Sequence, residues 1–86
     1  FPNLALAQQA MQRGGNAPCV LNAANEEAVE AFLQERIGFL DMSDLIADRL
    51  AKATFVPAPD LDALVASDAE TRRAVREALN TPEWRS

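Results

Sequence analysis

The sequence predicts an all-α fold: a compact bundle of about four helices with short connectors. Three observations carry this. Alanine, the best helix former, fills 17 of the 86 positions, and glycine only 3. Apolar residues recur every three to four positions rather than alternating. Proline and glycine fall between the periodic segments, at Pro2, Gly14-Gly15, Pro18, Gly38, Pro57 and Pro59, where they start or stop helices rather than interrupt them. The length suits one domain near the lower limit of independent folding. The bundle is expected over residues 1–80, with residues 81–86 as a frayed tail on which Trp84 either docks or lies exposed.

The first helix is expected from Pro2, with Leu4, Ala7, Ala10 and Met11 as its apolar stripe, ending at Gly14-Gly15. After the connector Asn16-Ala17-Pro18, a second helix is expected from Cys19 to Arg36. Its stripe is Leu21, Ala24, Ala28, Ala31 and Phe32, widened by Val29 and Leu33, and a break at Asn22–Asn25 is an alternative. Gly38 stops it, and Ile37, Phe39 and Leu40 form an apolar connection over the core. Asp41 is the expected N-cap of a helix from Met42 to Ala53, with Met42, Leu45, Ile46 and Leu50 facing inward. After the Pro57/Pro59 loop, Asp60 caps a short helix, Leu61–Ala66. Ser67-Asp68-Ala69-Glu70 reads as a capping box opening a last helix, Asp68–Asn80, with Ala74, Val75, Ala78 and Leu79 inward.

Charge and chemistry bound the function. Eight basic residues against 13 acidic give a net charge of −5, which disfavours binding to phosphate backbones. No apolar run is long enough to span a bilayer, and no secretory signal opens the chain. Neither nucleic acid nor membrane is therefore an expected partner. Histidine is absent and Cys19 is the single cysteine, so an internal disulfide and a multi-cysteine metal site are excluded. Cys19 reads as a small buried hydrophobe. Glu26, Glu27 and Glu30 read as a solvated helix flank rather than a metal or acid–base cluster. No position is offered as catalytic, cofactor-binding or metal-ligating. The structural candidates are Asn22 and Asn25, three apart on one helix side in an apolar segment where asparagine is a poor choice. They either make local bonds, capping or bridging to the Ile37–Leu40 connector, or contact another domain. Because the chain starts with Phe1 rather than Met, it is expected to be a piece of a larger protein.

The run Leu21-Asn22-Ala23-Ala24-Asn25-Glu26, continuing Ala28-Val29-Glu30-Ala31-Phe32-Leu33, resembles the C-terminal domain of 1-deoxy-D-xylulose 5-phosphate reductoisomerases. The opening Phe1-Pro2-Asn3-Leu4-Ala5-Leu6-Ala7 and the turn Ile37-Gly38-Phe39-Leu40-Asp41-Met42 are similar to that family too, as is Ser67-Asp68-Ala69 with Arg72. The similarity runs from Phe1 to about Leu79. It implies a cytoplasmic, usually homodimeric parent enzyme. That enzyme converts 1-deoxy-D-xylulose 5-phosphate to 2-C-methyl-D-erythritol 4-phosphate in non-mevalonate isoprenoid biosynthesis, using NADPH and a divalent metal (magnesium, manganese or cobalt). The missing dinucleotide-binding and catalytic domains of the same chain would then be the partners, and the present residues a structural domain inert alone. None of the family's metal or NADPH residues maps onto this sequence. The rival reading is a stand-alone helical interaction module or an acyl-carrier-like one, for which Ser43 in Asp41-Met42-Ser43-Asp44-Leu45 is the candidate attachment point.

Overall fold

Four helices follow one another in the computed structural model: α1 Pro2–Arg13, α2 Ala17–Leu33, α3 Phe39–Lys52 and α4 Leu61–Asn80. The described residues are 2–81, with side chains from Asn3 onward. The tail beyond Thr81, and with it the expectation for Trp84, lies outside them. No strand occurs among the described residues, and none of their helices is long and apolar enough to cross a membrane.

The central element is α2, which packs on α3, α4 and α1. Its inward face is nearly all alanine: Ala23, Ala24, Ala28 and Ala31 are at most 2 % exposed. Small side chains let the neighbouring helices come close, and the larger core residues Met42, Leu45 and Ile46 of α3 and Val75 of α4 fill the space against them. Each fully buried aliphatic side chain contributes about 1.5–3 kcal/mol, well above a surface ion pair. The apolar seam therefore does most of the holding.

Several boundaries differ from the sequence reading. The second helix stops at Leu33 rather than Arg36, and Gly38 is not what stops it. Glu35 turns left-handed (φ 61°), Arg36 N–H reaches the Ala31 carbonyl and Glu35 N–H the Phe32 carbonyl, the paired bonds of a Schellman cap. There is no break at Asn22–Asn25. The third helix begins at Phe39 with Gly38 as N-cap. Asp41 sits at the third helical position, where its carboxylate accepts from Gly38 N–H at 2.8 Å. Phe39 and Leu40 thus belong to a helix and are 50 % and 75 % exposed, whereas Ile37 is buried. The two C-terminal helices are one: α4 runs unbroken through Ser67, with Asp60 capping it through Ala63 N–H at 2.8 Å. The Ser67–Glu70 capping box is not used because Ser67 Oγ is engaged elsewhere, accepting from Asn16.

The stripes shift as well. On α1, Ala10 is buried and Leu6 packs on the core, while Leu4 and Met11 face out. Val29 and Leu33 of α2 are exposed and do not widen its inner face, and Leu61 and Val65 of α4 are also exposed. The inward residues of α3, and Ala74, Val75, Ala78 and Leu79 of α4, lie as expected.

At the α1–α2 corner both glycines are left-handed, Gly14 at φ 71° and Gly15 at φ 57°. They differ in surroundings. A Cβ on Gly14 meets nothing, whereas one on Gly15 would lie 2.3 Å from the Val56 carbonyl oxygen. Gly14→Ala should cost about 1 kcal/mol for its backbone alone, and Gly15→Ala clearly more, a fall of roughly 10 °C or more in melting temperature. Equal losses in thermal melts would contradict this account. Conversely, Glu35→Gly relieves a left-handed non-glycine residue at an exposed cap. It should raise stability by up to about 1 kcal/mol, read from denaturant midpoints.

Candidate functional site

Asn22 and Asn25 come together in a recess between α1, α2 and α3. Asn3, Leu4 and Ala7 of α1, Leu21 of α2 and Ile46 of α3 complete its lining, around a cavity of about 360 Å³. Because α2 is continuous, residues 21, 22 and 25 share one side of it, turned toward α1 rather than toward the 37–40 segment. The expected capping or bridging to the Ile37–Leu40 connector is therefore not what they do. Neither amide has a hydrogen-bond partner among the described residues; Asn22 is exposed and Asn25 half-buried. On the α1 side, Asn3 is tied to α3 by the Ser43 hydroxyl, which donates to Asn3 Oδ1 at 2.6 Å. Ser43 is thus half-buried inside α3 and occupied in a helix–helix contact, rather than displayed at a helix start.

Chemically this recess offers amides, which donate and accept but do not titrate, over an apolar floor. Amides of this kind can pair with backbone groups, and no titratable side chain is on the lining.

The carboxylates do other work. Glu26 and Glu27 are not a free solvated flank. Arg72 of α4 bridges Asp68 on its own helix and both glutamates of α2, and Arg76 forks onto Glu27. Hydrogen bonds from Arg76 hold the Glu27 carboxyl below its ordinary value of 4.5, against its own desolvation and with help from Arg72. Arg72 is in turn held strongly protonated, first by Asp68 and then by Glu26. Glu30 bonds Gln34 of its own helix. Among the described residues, no group of three or more His, Cys, Asp or Glu side chains converges where it could hold a metal ion. Cys19 is only partly buried; its thiol donates to the Leu64 carbonyl at 3.4 Å. Burial, reinforced by Asp68, pushes its pKa up, away from the thiolate a nucleophile needs.

Sequence reasoning missed Asn16, read there as connector. It is 2 % exposed, and its side chain joins the α3–α4 loop and α4: Nδ2 donates to the Thr54 carbonyl at 2.8 Å and to Ser67 Oγ at 3.0 Å, and Oδ1 accepts from Val56 N–H at 2.8 Å. Its position just ahead of a proline-started helix was legible; its partners, 38 to 51 residues away, were not.

An all-helical domain with a recess lined by amides and apolar side chains is the class that this architecture defines. The family model described as the DXP reductoisomerase C-terminal domain matches residues 1–74. The chain is 56 % identical over 79 residues to the 1-deoxy-D-xylulose 5-phosphate reductoisomerase of Bacteroides thetaiotaomicron, covering 92 % of this chain and 20 % of that protein. It is 49 % identical over 81 residues to the reductoisomerase of Ralstonia pickettii, covering 94 % and 20 %. For that of Pseudomonas putida the identity is 52 % over 79 residues, covering 92 % and 20 %. No solved structure shows a significant match. The chain belongs to the DXP reductoisomerase C-terminal domain family, and it spans about one fifth of the length of the relatives it matches.

The Glu27 network makes a pH prediction. Its folded pKa is depressed, so its contribution is complete above the unfolded value of about 4.5 and is lost as pH falls through the folded one. Melting temperature should therefore fall below about pH 4.5 more steeply in the wild type than in Glu27→Gln, and the two curves should converge in acid. Parallel curves from pH 7 to pH 3 would remove the network from the acid response.

Proposed function

We propose that this chain is the structural C-terminal domain of an enzyme that rearranges and reduces 1-deoxy-D-xylulose 5-phosphate to 2-C-methyl-D-erythritol 4-phosphate, in the non-mevalonate route to isoprenoids. The chemistry would lie in the remaining four fifths of the protein, which would bind NADPH and a divalent metal. The described residues gather no ligand set for such an ion. Residues 1–80 would form this domain and residues 81–86 its tail. The whole protein would be a cytoplasmic homodimer, and the 86 residues alone would neither bind NADPH nor turn over substrate.

The observation that supports a bracing role is the recess of Asn22 and Asn25. Two amides stand over apolar lining with nothing in the described chain to bond. Amide pairs of this kind suit the backbone of a neighbouring domain, and holding a catalytic domain in place supplies the fixed geometry on which its rate depends. In this role Asn22 and Asn25 position; they do not touch substrate.

The test compares one double variant in two settings. Asn22→Ala with Asn25→Ala should leave the melting temperature of the 86-residue chain unchanged or slightly raised, since no internal bond is lost and alanine is the better helix former. In the full-length protein it should cost roughly 1–3 kcal/mol and lower turnover, because the neighbour's polar groups lose their partners. Equal effects in both settings would show that the amides serve the bundle itself. Deleting the whole domain with no change in full-length melting or turnover would sink the bracing role.

A further inference from the structure

A second cleft lies between the C-terminal end of α3, the loop after it and the first half of α4, with a volume of about 460 Å³. Arg49 and Lys52 of α3, Thr54 of the loop, and Ser67, Glu70 and Thr71 of α4 are on its lining. Arg49 is anomalous there. Its Nε is fully buried with no hydrogen-bond acceptor, and no ion pair or ring contact engages its guanidinium among the described residues. The other described cations all have partners: Lys52 pairs with Asp48, Arg72, Arg73 and Arg76 with glutamates, Arg36 with the Asn80 amide, and Arg13 with the Phe55 ring. With 13 acidic residues against 8 basic ones, carboxylates are not in short supply; none is placed against Arg49. Buried polar groups left without a partner are uncommon in folded proteins and call for an explanation such as a bound ion.

Two hydroxyls on the same lining are also open. Thr71 is 3 % exposed, yet its hydroxyl has no hydrogen bond to another described residue. Ser67 Oγ accepts from Asn16, which leaves its own proton to donate. Glu70, the carboxylate on the lining, is taken by Arg73. The cleft therefore has donors left over on both of its helices, Arg49 on α3 and Ser67 and Thr71 on α4. A planar carboxylate is matched by one guanidinium fork; donors arriving from several directions suit a tetrahedral oxyanion.

We propose that this cleft binds an oxyanion of the phosphate class, with the Arg49 guanidinium on its oxygens and the Ser67 and Thr71 hydroxyls completing the contact. The 86-residue chain is labelled with ¹⁵N and titrated with inorganic phosphate, chloride keeping the ionic strength constant. The Arg49 Nε–H resonance should move saturably, and the Ser67 and Thr71 backbone amides should move with it. Acetate should produce a much weaker effect. Arg49→Gln should abolish the response. Thr71→Val, which keeps shape and removes the donor, should weaken binding by about tenfold; it carries the test should Arg49→Gln not fold. A linear response without saturation, an equal response to acetate, or unchanged affinity in Thr71→Val each overturns the proposal.

Discussion

The bundle depends on one corner, where Gly15 and Asn16 meet Val56. Asn16 N–H donates to the Val56 carbonyl at 2.9 Å while Val56 N–H donates to Asn16 Oδ1 at 2.8 Å, so the two residues are joined in both directions. The amide nitrogen then reaches Thr54 and Ser67, and the Asn16 carbonyl starts α2 by accepting from Val20 N–H. Every polar group of this buried residue is used, which is the condition under which burying it is favourable. The contact needs a backbone that comes within touching distance of the Val56 carbonyl, and only glycine at position 15 permits that. One corner thereby sets where α2 begins, how the 53–60 loop crosses back, and which side of α4 faces inward at Ser67.

From that corner the rest of the packing follows in two layers. The alanine face of α2 sets a short distance to α3 and α4, and Leu45, Ile46 and Val75 fill it. Outside this apolar seam, α2 and α4 are also matched by charge: two adjacent glutamates on one helix oppose arginines one turn apart on the other. Such partly exposed pairs add little each. Their value is in register, because only the present alignment sets both Arg72 and Arg76 on Glu27, a carboxylate that is only 14 % exposed, and a slide of one turn would leave it with one of the two.

Much of this was legible in the sequence. Four helices, their connectors, and the inner faces of α3 and the second half of α4 followed from periodicity and from proline and glycine punctuation. What was not legible depends on contacts across the chain. Ser67 and Glu70 have a capping-box spacing, but such a box starts a helix only where the serine hydroxyl turns back to the backbone, and here Asn16 gives Ser67 a different partner while α4 runs on through it. The end of α2 moved because Glu35 accepts a left-handed conformation that sequence reasoning assigns to glycine. Leu4, Met11, Val29 and Leu33 have the right spacing for burial and remain exposed, since an 86-residue bundle has too little interior for every apolar stripe. For the recess, the pattern of Asn22 and Asn25 picked out two residues that the fold places on one lining. The sequence did not tell which segment would lie beside them, and it is α1 rather than the 37–40 segment.

The distribution of satisfied and unsatisfied polar groups then separates what the bundle needs from what it does not. Asn16, equally an amide in an apolar setting, is saturated, and the fold is built around it. Asn22 and Asn25 contribute no bond to the described chain, and asparagine is a poor helix residue, so their presence is a cost to the bundle taken alone. Leu4 beside them is 61 % exposed, an apolar cost of the same kind. A domain that folded only for its own stability would gain from leucine or alanine in place of both amides. On the bracing reading that cost is offset elsewhere, by a surface in the remaining four fifths of the protein. One asparagine holds the bundle and two do not, and it is this asymmetry on which the bracing reading of the α1–α2 recess rests.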